Sequence, residues 1–125
     1  MKFKYKQVLK IKGYKQLFDT KCRADMNAIK LNPSAGRKHN QRIVDVCLSL
    51  MYDIKTPFYT EVTFKSGYKP DVFCPLYLNG CVIEVRDSET DKQTEAKKKR
   101  IPPELQDVMF IYVDAKKEFK LEDIQ

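Results

Sequence analysis

Tyr68-Lys69-Pro70-Asp71-Val72 and, after a short loop, Cys81-Val82-Ile83-Glu84-Val85-Arg86 decide how this chain is read. Each run is rich in strand-forming residues and carries one acid among apolar or aromatic neighbours. Asn79-Gly80 lies between them as a turn former, so the pair reads as an antiparallel hairpin. The register follows from Pro75, which has no N–H to give to a ladder and so favours an open loop over a tight turn. A six-residue loop from Pro75 to Gly80 pairs Cys74 with Cys81 and puts Asp71 opposite Glu84. Directly opposed side chains share a face at about 5 Å between Cβ atoms. Lys69, Asp71, Glu84 and Arg86 are then expected on one face. Two carboxylates on mostly buried strands need compensation, which a divalent cation supplies as well as a lysine or an arginine does. A cross-strand salt-bridge quartet on an exposed face is the structural alternative.

At 125 residues the chain is one domain, large enough to bury a core without staples. No run of apolar residues is long enough to span a membrane, and the lysine-rich start leaves no h-region for a signal peptide. Cys22, Cys47, Cys74 and Cys81 form no CxxC pair and His39 is the single histidine. That gives poor support to a structural zinc site, to HExxH chemistry and to a serine-histidine triad. Free thiols in a cytoplasmic, intracellular protein (host cytoplasm, were the chain viral) are the expected reading, with Cys74 and Cys81 set opposite each other by the hairpin.

The net charge of +7 divides unevenly, with +10 in residues 1–42 and −3 in residues 43–125. A basic front suits a polyanion, nucleic acid before an anionic membrane surface; a merely solubilising lysine surface is the other explanation. Residues 1–15 interleave Lys with Phe3, Tyr5, Val8, Leu9 and Ile11, a pattern open to helix, strand or arm. Residues 16–31 carry moderate helical periodicity, and residues 1–31 together read as a basic N-terminal extension of a core at 33–113.

Asn32-Pro33 signals a helix start, and the apolar positions Ile43, Val44, Val46, Cys47, Leu48, Leu50 and Met51, expected as a wide buried face, carry the helix to about Asp53. Residues 57–64 read as a strand, Lys65-Ser66-Gly67 as a turn, 68–74 and 81–86 as the next two strands. Ser88 with Asp91 suggests a capping box for a polar helix over about 89–100, ended by Pro102-Pro103. Residues 107–113 form a nearly unbroken apolar strand, expected at a buried sheet position, and the last dozen residues read as a small surface element. The crossover through the second helix should return the last strand parallel to a neighbour, giving a mixed sheet flanked by helices.

Pro70-Asp71, twelve intervening residues and Glu84-Val85-Arg86 resemble the PD-(D/E)xK motif of the restriction-endonuclease-like nuclease superfamily. The α-β-β-β-α-β order at 33–113 resembles that family's α/β (α+β) core as well. The resemblance implies Mg²⁺-dependent hydrolysis of phosphodiester bonds, with Mn²⁺ as a substitute and Asp71 and Glu84 as metal ligands. DNA is the implied partner, with RNA also open. A domain this small has little room for base readout, which favours structure-selective cutting of the junction-resolvase kind. Symmetric cutting of two strands would call for a homodimer, though nothing in the sequence identifies its surface.

Arg86 departs from the family's lysine. A guanidinium keeps the charge but cannot act as a base. Three readings stay open: Arg86 stabilises charge in an altered enzyme, the lysine's role has moved to Lys69 or Lys92, or the site is dead and the chain only binds nucleic acid. The family also implies an acid from the first core helix, for which Asp45 is the candidate and Glu61 the reserve. Asp45 equally reads as a surface acid paired with Arg42 or Gln41. Gln93 resembles a glutamine of some branches. Arg37, Lys38, Arg42, Lys69, Lys97, Lys98, Lys99 and Arg100 would grip the nucleic-acid backbone, or serve as a solvated basic surface.

Overall fold

The computed structural model describes residues 2–87 and 91–125. Among the described residues, three α-helices, α1 (Tyr5–Lys15), α2 (Arg37–Ser49) and α3 (Asp91–Lys98), accompany a four-stranded mixed sheet. Its strands are β1 (Tyr59–Thr60), β2 (Val72–Cys74), β3 (Cys81–Arg86) and β4 (Met109–Asp114), in spatial order β1-β2-β3-β4. β1, β2 and β3 pair antiparallel, and β4 returns parallel to β3.

The hairpin register follows the expectation, with Cys74 facing Cys81 across the Pro75–Gly80 loop. A 3₁₀ turn at Tyr77–Asn79 closes that loop, with Leu78, Asn79 and Gly80 all at positive φ. Gly80 is required twice over: its φ is 112°, and a Cβ there would stand 2.7 Å from the Tyr14 hydroxyl oxygen. Cys74 and Cys81 are free and fully buried.

Other boundaries shift for local reasons. The first core helix begins at Arg37 with Gly36 as N-cap, because the Asn32 side chain accepts from the Ser34 N–H (2.9 Å) in a turn of its own. It then widens into a π-helical turn at Leu50–Ile54 that ends on left-handed Lys55. Only Tyr59 and Thr60 of the expected 57–64 strand join the ladder, since Glu61 adopts φ 55° and breaks the extended run. The expected 68–74 strand likewise shortens to 72–74, because the Tyr68 carbonyl accepts from the Phe64 N–H in the preceding turn. Residues 16–31 form no helix: Phe18 bridges to Phe64, and residues 27–30 bond to Phe58 and Thr60 alongside β1. The expected capping residue Ser88 lies outside the described residues.

Two cores result. Against α2 pack Val72, Cys74, Cys81, Ile83, Val85 and Val113, with Ile43, Val46, Cys47 and Leu50 from the helix. Ile124 at the chain end is also fully buried there and accepts a bond from the Tyr77 hydroxyl (2.7 Å), so the tail is anchored in the core. The other face is aromatic, with Phe18, Tyr59, Phe64, Tyr68 and Phe73 in edge-on and tilted contacts. Tyr14 of α1 meets Phe73 edge-on at 5.0 Å, so the basic front of the chain is packed onto the sheet.

Candidate active site

Glu84 sits on β3 facing the aromatic layer and is only 5 % exposed. The Tyr68 hydroxyl donates to one carboxylate oxygen (2.9 Å), and the Lys97 ammonium from α3 closes on the other. Asp71 lies in the bend just before β2, where one oxygen accepts the Val85 N–H (2.8 Å). Its other oxygen meets Nε2 of His39, from α2, at 3.4 Å. Continuing the β2–β3 register by one residue puts Asp71 opposite Glu84. Asp71, Glu84, His39, Tyr68 and Lys97 thus gather at one end of the hairpin, drawn from α2, β3, α3 and the turn before β2.

The charges are unevenly balanced. Burial, and then the Asp71 carboxylate, push the Glu84 carboxyl up to about 7 despite Lys97 and Tyr68. Burial alone would raise Asp71 too, but the His39 bond, the Lys97 charge and the Val85 N–H together hold it below its ordinary value. The bond to Asp71 raises His39 against the opposing effect of its burial. Burial first, and Glu84 second, raise Tyr68, which therefore stays protonated and donates a hydrogen bond to Glu84.

The other sequence candidates fall in several places. Arg86 does not reach the carboxylates as a pair; its guanidinium lies over the Tyr112 ring, 3.6 Å from the centroid. It lines a cleft with Glu84, Tyr68, Lys97, Phe110 and Tyr112. Asp45 is not gathered with Asp71 and Glu84: it pairs with Arg42 at 2.9 Å on an outer groove of α2. Arg42 is further held by the Lys117 carbonyl (2.6 Å), so its guanidinium is spent within the fold, whereas Arg37 and Lys38 are exposed. Lys69, one proposed seat of a displaced lysine, pairs with Glu61 at 2.5 Å. Lys92, the other, is exposed on α3. Of the 97–100 run, Lys97 turns in to Glu84, while Lys98 rims the cleft and Lys99 and Arg100 are exposed.

Three residues of the site were not placed there by the sequence. His39 shares the four-residue spacing of the buried α2 face with Ile43 and Cys47, a signal that was legible. Tyr68 reaches Glu84 only because the chain bends at Pro70-Asp71. Nothing separates Lys97 from its three basic neighbours until the start of α3 is known.

Among the described residues each carboxylate oxygen has one partner, which leaves a second lone pair for a cation. A buried carboxyl lifted to about 7 is short of positive charge, and hard oxygen donors suit Mg²⁺ or Mn²⁺. Two protein carboxylates with the rest of the shell from water and phosphate fit Mg²⁺ habits, so the residues present fit such an ion. Among the described residues, no group of three or more His, Cys, Asp or Glu side chains gathers as a metal cage.

No protein-family profile, characterised protein or solved structure gives a match to this chain. Among the described residues no helix is long and apolar enough to cross a membrane.

Proposed function

We propose that this chain is a Mg²⁺-dependent DNA endonuclease with a restriction-endonuclease-like core, acting structure-selectively in the manner of a junction resolvase. The observation that carries the reading is the meeting of Asp71, Glu84 and the Lys97 ammonium at one hairpin end. The succession α2, β1, β2, β3, α3, β4 supports it, being the order that the motif resemblance implies.

In this reading Asp71 and Glu84 hold the ion, which when bound acidifies water and offsets charge on the scissile phosphate. The Val85 N–H and His39 fix the Asp71 carboxylate, and Tyr68 fixes that of Glu84. Lys97 takes the part of the motif lysine: its ammonium, already against Glu84, orients the attacking water and stabilises developing negative charge. Arg86, stacked on Tyr112 and unable to lose a proton, grips phosphate at the cleft mouth with Lys98. Exposed Lys99, Arg100, Arg37 and Lys38 extend the hold on the DNA backbone.

Plasmid nicking with Mg²⁺ or Mn²⁺ tests the reading. Asp71→Ala, Glu84→Ala and Lys97→Met should each lose about 10²-fold or more in rate. Unchanged cleavage in Asp71→Ala would refute the metal site. Salt-sensitive DNA binding by a parent that cuts nothing would favour the second reading, an inactive nucleic-acid-binding protein, which the stacking of Arg86 away from the carboxylates favours. RNA offered beside DNA, linear and branched, identifies the substrate.

A further inference from the structure

Nearly all of the net charge of +7 lies in α1 and the residues leading into it, because residues 1–18 hold six lysines and no acid. Among the described residues, none of Lys2, Lys4, Lys6, Lys10, Lys12 and Lys15 is in an ion pair. The Lys10 ammonium donates to the Asn79 carbonyl (2.8 Å). The segments packed around α1 bring acids to its borders, but these are few or already held. Asp25 is paired with Arg23 (3.0 Å) and Lys30 (2.7 Å), and Glu61, just past β1, with Lys69. Asp19, Glu104 and Asp107 remain, half as many as the lysines of residues 1–18.

The helix spends its apolar residues inward. Ile11 is buried, Tyr14 meets Phe73 edge-on, and Val8 lies half-buried in a groove with Met26 and Tyr59. Outward stand Tyr5, 77 % exposed, Leu9, 48 % exposed, and Lys12, spaced four and three residues apart and so in one row, with Lys6 beside it. Two apolar side chains are too few to sink a helix into lipid, which takes a whole apolar face. Uncompensated ammonium groups around a tyrosine hydroxyl suit the phosphates of a nucleic acid.

α1 also lies on the same face of the sheet as Glu84. Phe73 pairs with Val82, and Val82 and Glu84 alternate onto one side. The Tyr14 hydroxyl lies against Gly80, four residues before Glu84, so this end of α1 and the carboxylate are roughly 13 Å apart along β3, about four base-pair steps.

We propose that the outward face of α1 docks the phosphate backbone of a nucleic-acid duplex whose next stretch lies in the Glu84 cleft, with Lys2, Lys6 and Lys12 on the phosphates. The cleft half of this geometry rests on the nuclease reading. The docking on α1 does not, since it is measured without metal.

Titration of the full chain with a fluorescent duplex of about 20 base pairs in EDTA tests the docking. Lys2→Gln, Lys6→Gln and Lys12→Gln together should weaken binding about 10-fold or more and lower the salt slope by ~2–3, for three lost phosphate contacts. The control is Lys116→Gln, Lys117→Gln and Lys120→Gln together, which removes the same charge from an exposed segment where Asp114, Glu118 and Glu122 offset it. The control should stay within about 2-fold of the parent. All six lysines are exposed, and unchanged melting temperatures would show that both variants fold. Parental affinity and slope in the α1 variant would overturn the proposal, and so would equal losses in the two variants, which would make bulk charge the cause. A parent that sediments with phosphatidylserine vesicles through the three α1 lysines, and holds DNA equally well without them, would overturn it in favour of a membrane surface. With Mg²⁺ and a cleavable duplex, the α1 variant should raise KM and leave kcat at the parental value. Unchanged KM beside weakened binding in EDTA would overturn the shared duplex. A parent that binds through α1 and cuts nothing would uphold the docking and remove the nuclease reading.

Discussion

Ile83 and Glu84 are neighbours on β3, yet they look into different worlds. Ile83 faces α2 among Val46, Leu50 and Val72, a layer of apolar side chains closed to solvent. Glu84 faces the aromatic layer, where a carboxylate nearly as buried leans on one hydroxyl and one ammonium. Around Ile83 the α2 face is built for cohesion, and only near the start of α2 does a described side chain of the helix, His39, turn to Asp71. The other face gives up some cohesion to keep a charge out of water.

The largest effect expected from this contrast is on the α2 side. Ile83→Ala should lower stability by ~2–5 kcal/mol, with the same loss at pH 5 and pH 8, because the transfer and cavity effects involve no proton. Urea unfolding at the two pH values checks it. A strongly pH-dependent loss would mean that the two faces are coupled.

On the other face the loss should follow pH. Glu84 titrates in the fold at about 7, above its ordinary value, so its contribution is complete below the ordinary carboxylate range and is lost as pH rises through 7. His39, raised by Asp71, works in the same direction and is lost as pH rises through its own raised value. Asp71, held low, contributes above its ordinary value and is lost only as pH falls through the lowered one. Melting in EDTA should therefore show Tm falling between about pH 5 and pH 8. Lys97→Met, which leaves Glu84 buried without its ammonium, should cost ~1–3 kcal/mol at pH 8 and much less at pH 5, where the carboxyl takes a proton. Glu84→Gln should flatten the slope, leaving the part due to His39. An unaltered slope in Glu84→Gln would remove Glu84 as its source.

These contrasts also explain what the sequence could and could not disclose. The alternation of β3 and the obstruction at Pro75 set the register, because period-two patterning and a missing N–H act locally. The shortened β1 and β2 were hidden, since left-handed Glu61 and the bend at Asp71 answer to tertiary contacts. The site was half legible. Asp71 and Glu84 belong to a hairpin whose geometry is nearly fixed, but Lys97 arrives on a helix whose phase and distance no local pattern specifies, and the spacing that puts His39 on the buried face of α2 does not give its distance from Asp71.

Arg86 should matter less to folding than either carboxylate does. Its contact with Tyr112 is at the cleft mouth, and Arg86→Ala should cost ~0.5–1 kcal/mol, the usual worth of an exposed cation–π contact. In the nuclease reading the same change should weaken DNA binding and reduce its salt dependence, with cleavage at saturating DNA falling far less than in Lys97→Met. Equal loss of saturated rate in the two variants would return Arg86 to the chemical step.

The smallest effect is expected at Asp45, and it is informative for that reason. Its carboxylate is half exposed and pairs with Arg42 three residues earlier on α2, a contact in water that competes with solvation and side-chain entropy. Arg42 also keeps its bond to the Lys117 carbonyl when the acid is gone. Asp45→Asn should therefore change stability by less than ~0.5 kcal/mol and leave cleavage of a saturating substrate at the parental rate. A loss of activity comparable to that of Asp71→Ala, with stability unchanged, would mean that α2 turns on binding DNA and brings a third carboxylate to the pair. The candidate site would then be assembled by its substrate, not held ready by the hairpin.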